Sequence, residues 1–438
     1  MTARFAYRFS LAPALEPYRP EIEHALDFLD RAYGLKRDEA ASRRLHYGAG
    51  APPDALTVPV VLFPGGVRLD HDGIHPSRDA LEAIAAGRGA APLFPGAVAA
   101  AADGRLSYDA IGLIALMLTR LEERGAPSKD RYGRFPHAAS LAARYCKLPA
   151  PPADRAAFDL AGALLGEAPR NATSYEVLLT HDVDRLRGYH RPLAPLRAAA
   201  GDLLKRRAPA RAVKTLWRAY GGGEPWRSAR RLMARSEARG LASRFYFMGP
   251  STARMDSPYA VTMAPLLRRL VDEIRARGHA VGFHPGYGTQ ADPALWARQK
   301  AGLERIAGTP VSEGRQHVLG YEAARTPDIW AANRMALDLT LAYPETTGFR
   351  AGTCRRFRAY SLARRVPLAL EQASTAVMDF GLFGGKYREL SVRQAFDEAA
   401  AAAALCRRFG GTLVLLQHTG TNEPKVDGFF ETLVREVV

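Results

Sequence analysis

The chain has 438 residues, 47% hydrophobic and 24% charged, enough to bury a sizeable core and more in keeping with two domains than one. Its mean hydropathy is −0.19, and its longest unbroken apolar run, Ala399–Cys406, falls far short of the roughly 20 residues a membrane span requires, so disorder and a transmembrane helix are both excluded. The net charge of +16 is concentrated: residues 185–240 hold 15 Lys or Arg against Asp202, Glu224 and Glu237, a pattern of a local anion-facing or membrane-facing surface, or equally of a plain solvated helix face, rather than a uniform nucleic-acid coat. Cys146, Cys354 and Cys406 are widely spaced and form no C-x-x-C pair, which predicts reduced thiols and no structural zinc cluster. The first residues carry positive charge without an apolar stretch behind it, so no secretory signal is expected and the cytoplasm is the expected compartment.

In chain order, a helical pattern over Glu21–Tyr33 precedes a strand candidate, Val58–Phe63, closed by Pro64-Gly-Gly66. At Ser107–Glu123, apolar residues recur at helical spacing and Ser107 can cap the helix. Pro149-Ala-Pro-Pro-Ala153 reads as a linker, followed by a helix over Arg155–Leu165. These features predict a smaller mixed α/β accessory domain over residues 1–170.

From residue 171 to 438, short apolar strands alternate with long helical patterns. The strand candidates are Glu176–Thr180, Arg244–Met248, Ala280–Phe283, Gln316–Leu319, Leu337–Ala342, Pro367–Leu370 and Thr412–Leu416. Helices are expected at Met263–Arg277, Pro293–Ile306, Thr326–Met335 and Ser391–Phe409, with an Arg-rich helical insertion at about 185–240. About seven strand–helix units suit a (β/α) barrel; an open doubly wound sheet is the alternative, but no G-x-G-x-x-G follows the first strand.

Functional groups in such folds collect past the C-terminal ends of strands. Asp182 and Asp184 are two apart, so on a strand they face one side and crowd two negative charges, which a divalent cation would relieve. His284 and His317, also at strand ends, complete an Asp/His/His set suited to Zn²⁺ with a position open for water, and a bound water brought from a pKa of about 16 to about 7 makes hydrolysis the natural reaction. His137, His190 and His279 sit away from other candidate ligands, and His181 reads as structural or supporting.

These residues resemble the polysaccharide deacetylase (NodB-homology) superfamily of metal-dependent esterases and amidases, over about residues 174–438. Thr180-His-Asp-Val-Asp184 is similar to the family's aspartate motif, Arg277-Gly-His-Ala-Val-Gly-Phe-His284 to its second motif, and Leu415-Leu-Gln-His418 to its closing motif. Position 288 is Gly where the family has a second motif histidine, so His317 takes the third ligand position; Val183 separates two aspartates that the commoner form has adjacent. The resemblance implies a distorted (β/α) barrel in a divergent, cytoplasmic branch, with Asp182 as base, Asp184, His284 and His317 on the metal, and His418 as general acid. An oxyanion would form against the metal and a backbone N–H.

Arg350 is the expected cation beside Asp182, with a salt bridge to Glu345 or Asp338 as the alternative. Tyr287 and Arg315 are candidates to line the acyl or sugar pocket, or to pack. The implied function is removal of an acetyl group from an N- or O-acetylated, possibly anionic sugar, such as an envelope or exopolysaccharide precursor. Hydrolysis of a small C–N amide and a non-catalytic carbohydrate-binding pseudoenzyme are the alternatives. No organic cofactor and no specific nucleic acid are expected. Peripheral membrane contact through 185–240 is a further expectation, where Trp217, Tyr220 and Trp226 interleave the cations or simply pin helices.

Overall fold

A computed structural model describes residues 5–88, 91–95, 106–145, 151–187, 193–220, 225–420 and 423–438. Cys146, His190, the Tyr220 side chain and the first residues of the expected linker lie outside the described residues. The chain divides into two compact units. One comprises Met1–Glu176, Tyr321–Ala376 and Ala401–Leu413; the other comprises Val177–Gly320, Val377–Ala400 and Val414–Val438. Two stretches expected in the barrel thus group with the N-terminal residues.

The first unit is built on a parallel sheet in which Leu35–Arg37, Phe5–Leu11, Arg44–Tyr47 and Leu56–Val58 lie in that order. The helix Arg19–Tyr33 buries Ile22, Leu26 and Leu29 and stops at Gly34, whose φ of 66° a residue with a Cβ adopts only at a cost. The strand expected over Val58–Phe63 ends at Val58. Beyond it the amides of Val61 and Leu62 donate to the Asp109 carboxylate, both at 2.9 Å, instead of to a ladder. Asp109, not Ser107, caps the wholly buried helix Ala110–Thr119; it also accepts from Gly112 N at 2.7 Å and from the Tyr47 hydroxyl at 2.9 Å. A carboxylate can fill this position because every hydrogen-bonding direction of a buried acid must be met, and here four donors converge.

The second unit holds all or part of each of a row of strands that we number in chain order: β1 (Glu176–Val183), β2 (Ser243–Phe247), β3 (Ala280–Phe283), β4 (Glu313–Gly314), β5 (Thr375–Met378) and β6 (Thr412–Leu416). Their order is β4-β3-β2-β1-β6-β5, with β1 to β4 parallel. This is a mixed α/β architecture, but the strand count and membership differ from the seven expected. Leu337–Asp338 and Val366–Gln372 belong to the first unit, where they pair, and β5 was not foreseen. The expected strand Gln316–Leu319 is a tight 3₁₀ turn, because Val318 (φ 52°) and Leu319 (φ 59°) take the left-handed conformation that no strand continues through. The short β4 replaces it. Gly314 is required there, since a Cβ would stand 1.9 Å from the Phe283 carbonyl oxygen.

The Arg-rich insertion is helical as expected, with helices Ala194–Leu204, Pro209–Tyr220 and Pro225–Glu237. Among the described residues no helix is long and apolar enough to cross a membrane.

Candidate metal centre

The site forms where β1, β3, β4 and β6 end. β1 runs further than expected, through Val183, so its two-residue alternation reaches the motif. Thr180 and Asp182 face one way, and His181 faces the other, against Phe245, with its ring nitrogens on Gln417 O (2.9 Å) and Ser243 Oγ (3.0 Å). His181 is therefore a structural residue, as expected. His279 likewise lies away from the site, accepting from Ser243 N and contacting Glu237.

Asp184, His284 and His317 come together: each offers one ligand atom, and these atoms lie within 4.8 Å of one another. The rings of His284 and His317 meet edge to face with centroids 5.1 Å apart. His284 follows β3, and its Nδ1 donates to the Arg315 carbonyl at 2.6 Å, which turns Nε2 into the site as a lone pair. That Nε2 lies 3.3 Å from Asp184 Oδ1, and both atoms are buried without a hydrogen-bond partner. His317 is turned inward by the 3₁₀ turn, and its Nδ1 pairs with Asp256 Oδ1 at 2.7 Å, leaving Nε2 for a cation.

Two buried unpartnered ligand atoms, with two imidazoles oriented by a carbonyl and a carboxylate, fit a divalent ion. The N₂O donor set suits a borderline cation better than Mg²⁺ or Ca²⁺. The electrostatics agree. Burial alone would raise the Asp184 carboxyl, but His284, His418 and His317 together hold it far below the usual carboxylate range. Burial would lower His284, yet Asp182 and Asp184 more than offset it and hold it above its ordinary value.

Asp182 is buried between two neighbours of the centre: Oδ2 lies 3.9 Å from His284 Nδ1 and 4.0 Å from His418 Nε2. Its Oδ1 accepts from Arg315 Nη1 at 2.6 Å, and Arg315 Nη2 donates to Thr180 Oγ1 at 2.8 Å. Arg315 thus occupies the position expected of Arg350, and it is fully buried against the acid instead of lining a substrate pocket. Arg350 lies in the first unit, where its guanidinium grips Glu123 (2.7 and 3.0 Å); neither Asp182 nor the alternatives Glu345 and Asp338 is its partner. The reason is burial. Glu123 sits at the closed end of the helix Ala110–Thr119 beside Arg120, and a second cation completes that buried cluster.

Tyr287 is half-buried on the loop after β3, its amide donating to both oxygens of Asp256 at 2.9 and 3.1 Å. His418, just past β6, sits under Phe380, with ring centroids 4.2 Å apart. Its Nδ1 and amide meet the two oxygens of Asp379 at 2.6 and 2.8 Å. Burial opposes the charged imidazole, but Asp379, aided by Asp184 and Asp182, raises its pKa to about 9.

Asp256, Asp379 and the true place of Arg315 escaped the sequence reading. Asp379 stands at the end of an unforeseen strand, so the strand-end rule would have found it; Asp256 lies in a loop with no such signal.

Residues 51–169 match a family of unknown function, DUF7033. No curated protein matches the chain. Similar solved structures include a presumed polysaccharide deacetylase from Mycobacterium smegmatis, 17% identical, with 60% of this chain and 84% of that one covered and a TM-score of 0.41. A family 4 carbohydrate esterase from Streptomyces lividans, in complex with acetate, is 13% identical, with 61% and 91% covered and a TM-score of 0.28. A CE4 family pseudoenzyme from Bacillus anthracis is 10% identical, with 60% of each chain covered and a TM-score of 0.29. Likeness at this level carries no argument about activity, which rests on the residues above.

Proposed function

We propose that the second unit is a metal-dependent hydrolase that removes an acetyl group from an N- or O-acetylated sugar, with zinc held by Asp184, His284 and His317. The observation that carries this reading is the pair of buried, unpartnered atoms, His284 Nε2 and Asp184 Oδ1, directly beside an acid and an imidazole with opposite proton demands. A divalent cation there supplies Lewis-acid polarisation of the acyl oxygen and a water acidic enough to ionise near neutral pH.

The chain's own groups do the rest. Arg315 occupies one oxygen of Asp182, so Oδ2 is the atom left to take the proton of the attacking water. His418, charged at neutral pH by its pairing with Asp379, gives the Nε2 proton to the departing amine or alcohol. His317 and His284 are held in their ligand tautomers by Asp256 and by the Arg315 carbonyl.

A groove of about 300 Å³ adjoins His418, lined by Arg231, Arg235 and Arg239 at four-residue spacing on and just beyond one helix, with Asp427 and Glu431 opposite. Arg235 is already engaged there, donating to the Asp427 carbonyl and facing the Asp427 and Glu431 carboxylates, so the groove is mixed in charge and suits a polar leaving group.

The test is acetate release from N-acetylglucosamine oligosaccharides and O-acetylated sugars by the full chain, with and without chelator. We expect chelation to abolish release and Zn²⁺ to restore it. If protein carrying about one metal equivalent releases no acetate from either substrate, the reading fails.

A second expectation concerns His418. Activity that needs its proton is present below its pKa and lost as pH rises through about 9. Asp379→Asn removes the main stabilising anion, so the basic limb of the kcat/KM profile should move down by about 1–2 pH units. Activity near pH 6 should change much less than activity above pH 8. An unmoved basic limb would assign the proton donor elsewhere.

A further inference from the structure

The helical pair Ala194–Leu204 and Pro209–Tyr220 has an unusual surface. Leu193 (65% exposed), Leu196, Leu203, Leu204 (81%), Val213 (67%) and Trp217 stand in solvent, while the residues the pair buries include small or short ones, Pro195, Ala199 and Ala212. Leu196, Leu203 and Leu204 lie three, ten and eleven residues after Leu193, the residue that caps the first helix, and so fall on one side, within about 100° of one another on a 3.6-residue repeat. Val213 and Trp217 repeat at four on the second helix. An amphipathic helix ordinarily turns such a stripe to the core; here it is outward.

Cations flank it. Arg197, Lys205, Arg206, Arg207, Arg211 and Lys214 are exposed, and the only acid on the pair, Asp202, is buried and engaged by Arg206 and Arg211. Arg197, Lys205, Arg207 and Lys214 make no ion pair among the described residues.

We infer that this helical pair is an interfacial anchor that lies on an anionic lipid surface, with the leucine stripe and Trp217 at the headgroup boundary and the free cations on lipid phosphates. Three features select that partner. Nucleic acid would use the cations but leave the leucines exposed. A second copy of the chain would bring one cationic face against another, in a protein of net charge +16. An apolar stripe bordered by Lys and Arg with Trp beside it has the chemistry of a helix lying in the membrane interface. The anchor adds a location to the hydrolase without depending on its chemistry.

The experiment is co-sedimentation of the full chain with phosphatidylcholine vesicles containing about 30% phosphatidylglycerol and with pure phosphatidylcholine vesicles. We expect binding to the anionic vesicles alone, falling about ten-fold or more between roughly 50 and 300 mM salt. Leu204→Asp, at the most exposed leucine, should weaken binding about ten-fold with an unchanged melting curve, and Arg207→Gln with Lys214→Gln should do the same. A blue shift of tryptophan emission on anionic vesicles should vanish in Trp217→Phe. Absent vesicle binding at low salt, or binding equal in Leu204→Asp, overturns the proposal. So does duplex DNA binding that survives Leu204→Asp without vesicle binding, or a dimer that Leu204→Asp dissociates while vesicles go unbound.

Discussion

Replacing His284 with alanine is expected to strip the metal from the protein and lower acetate release by roughly three orders of magnitude or more. His284 supplies the one ligand nitrogen that is both buried and without a protein partner, so no side chain nearby can take its place. Loss of a ligand also exposes the remaining charges to one another, since Asp182 Oδ2 and Asp184 Oδ1 both face the same imidazole, at 3.9 and 3.3 Å. Asp256→Asn acts one step away: it weakens the hold on the His317 ring without deleting a ligand, and the smaller loss expected is about 10–100-fold. Atomic emission on dialysed protein gives the stoichiometry, and circular dichroism shows whether the fold survives. A folded His284→Ala protein that keeps a full metal equivalent would remove His284, and with it the proposed centre.

Replacing Arg315 with methionine is expected to destabilise the protein by about 3–5 kcal/mol, a fall in Tm on the order of 10 °C. Arg315 is fully buried, and its guanidinium is the 2.6 Å partner of the buried Asp182 carboxylate. Methionine has nearly the volume of the arginine stem but no charge, so the acid would be left in the interior with nothing to balance it. Asp182→Asn in the same chain removes the second charge as well, and the double variant should recover most of the loss in thermal or urea unfolding, since neutralising both members of a buried pair costs far less than breaking it. Activity separates the two properties: the double variant should regain stability and remain inactive, because Asp182 is the proposed base. Equal stability of Arg315→Met and the parent protein would show that Asp182 does not depend on this cation.

Much of the site could be read before any fold was known, and the reason lies in local periodicity. The alternation of β1 sets the side on which Asp182 stands, with Asp184 just past the strand's end, and Ala280–Phe283 is followed directly by His284. Helix limits were likewise close: the helices ending at Gly34, Gly166 and Gly308 stop at left-handed glycines that punctuate the sequence itself. The miss at Gln316–Leu319 is equally informative. Apolar Val318 and Leu319 satisfy a strand pattern, yet both take the left-handed conformation, in the same turn that carries His317.

The sequence by itself determined the alternating strands and helices, the concentration of charge in residues 185–240, and the strand ends where acids and imidazoles would gather. Those properties depend on neighbours a few positions apart, and repeats of 2 and 3.6 residues record them. Only the tertiary structure decided the partners: Arg315 on Asp182 and Arg350 on Glu123, Asp379 under His418, Asp256 behind His317, and an apolar stripe left facing water. A buried charge takes whichever counter-charge packing brings within about 3 Å, and for Asp182 that residue lies 133 positions along the chain.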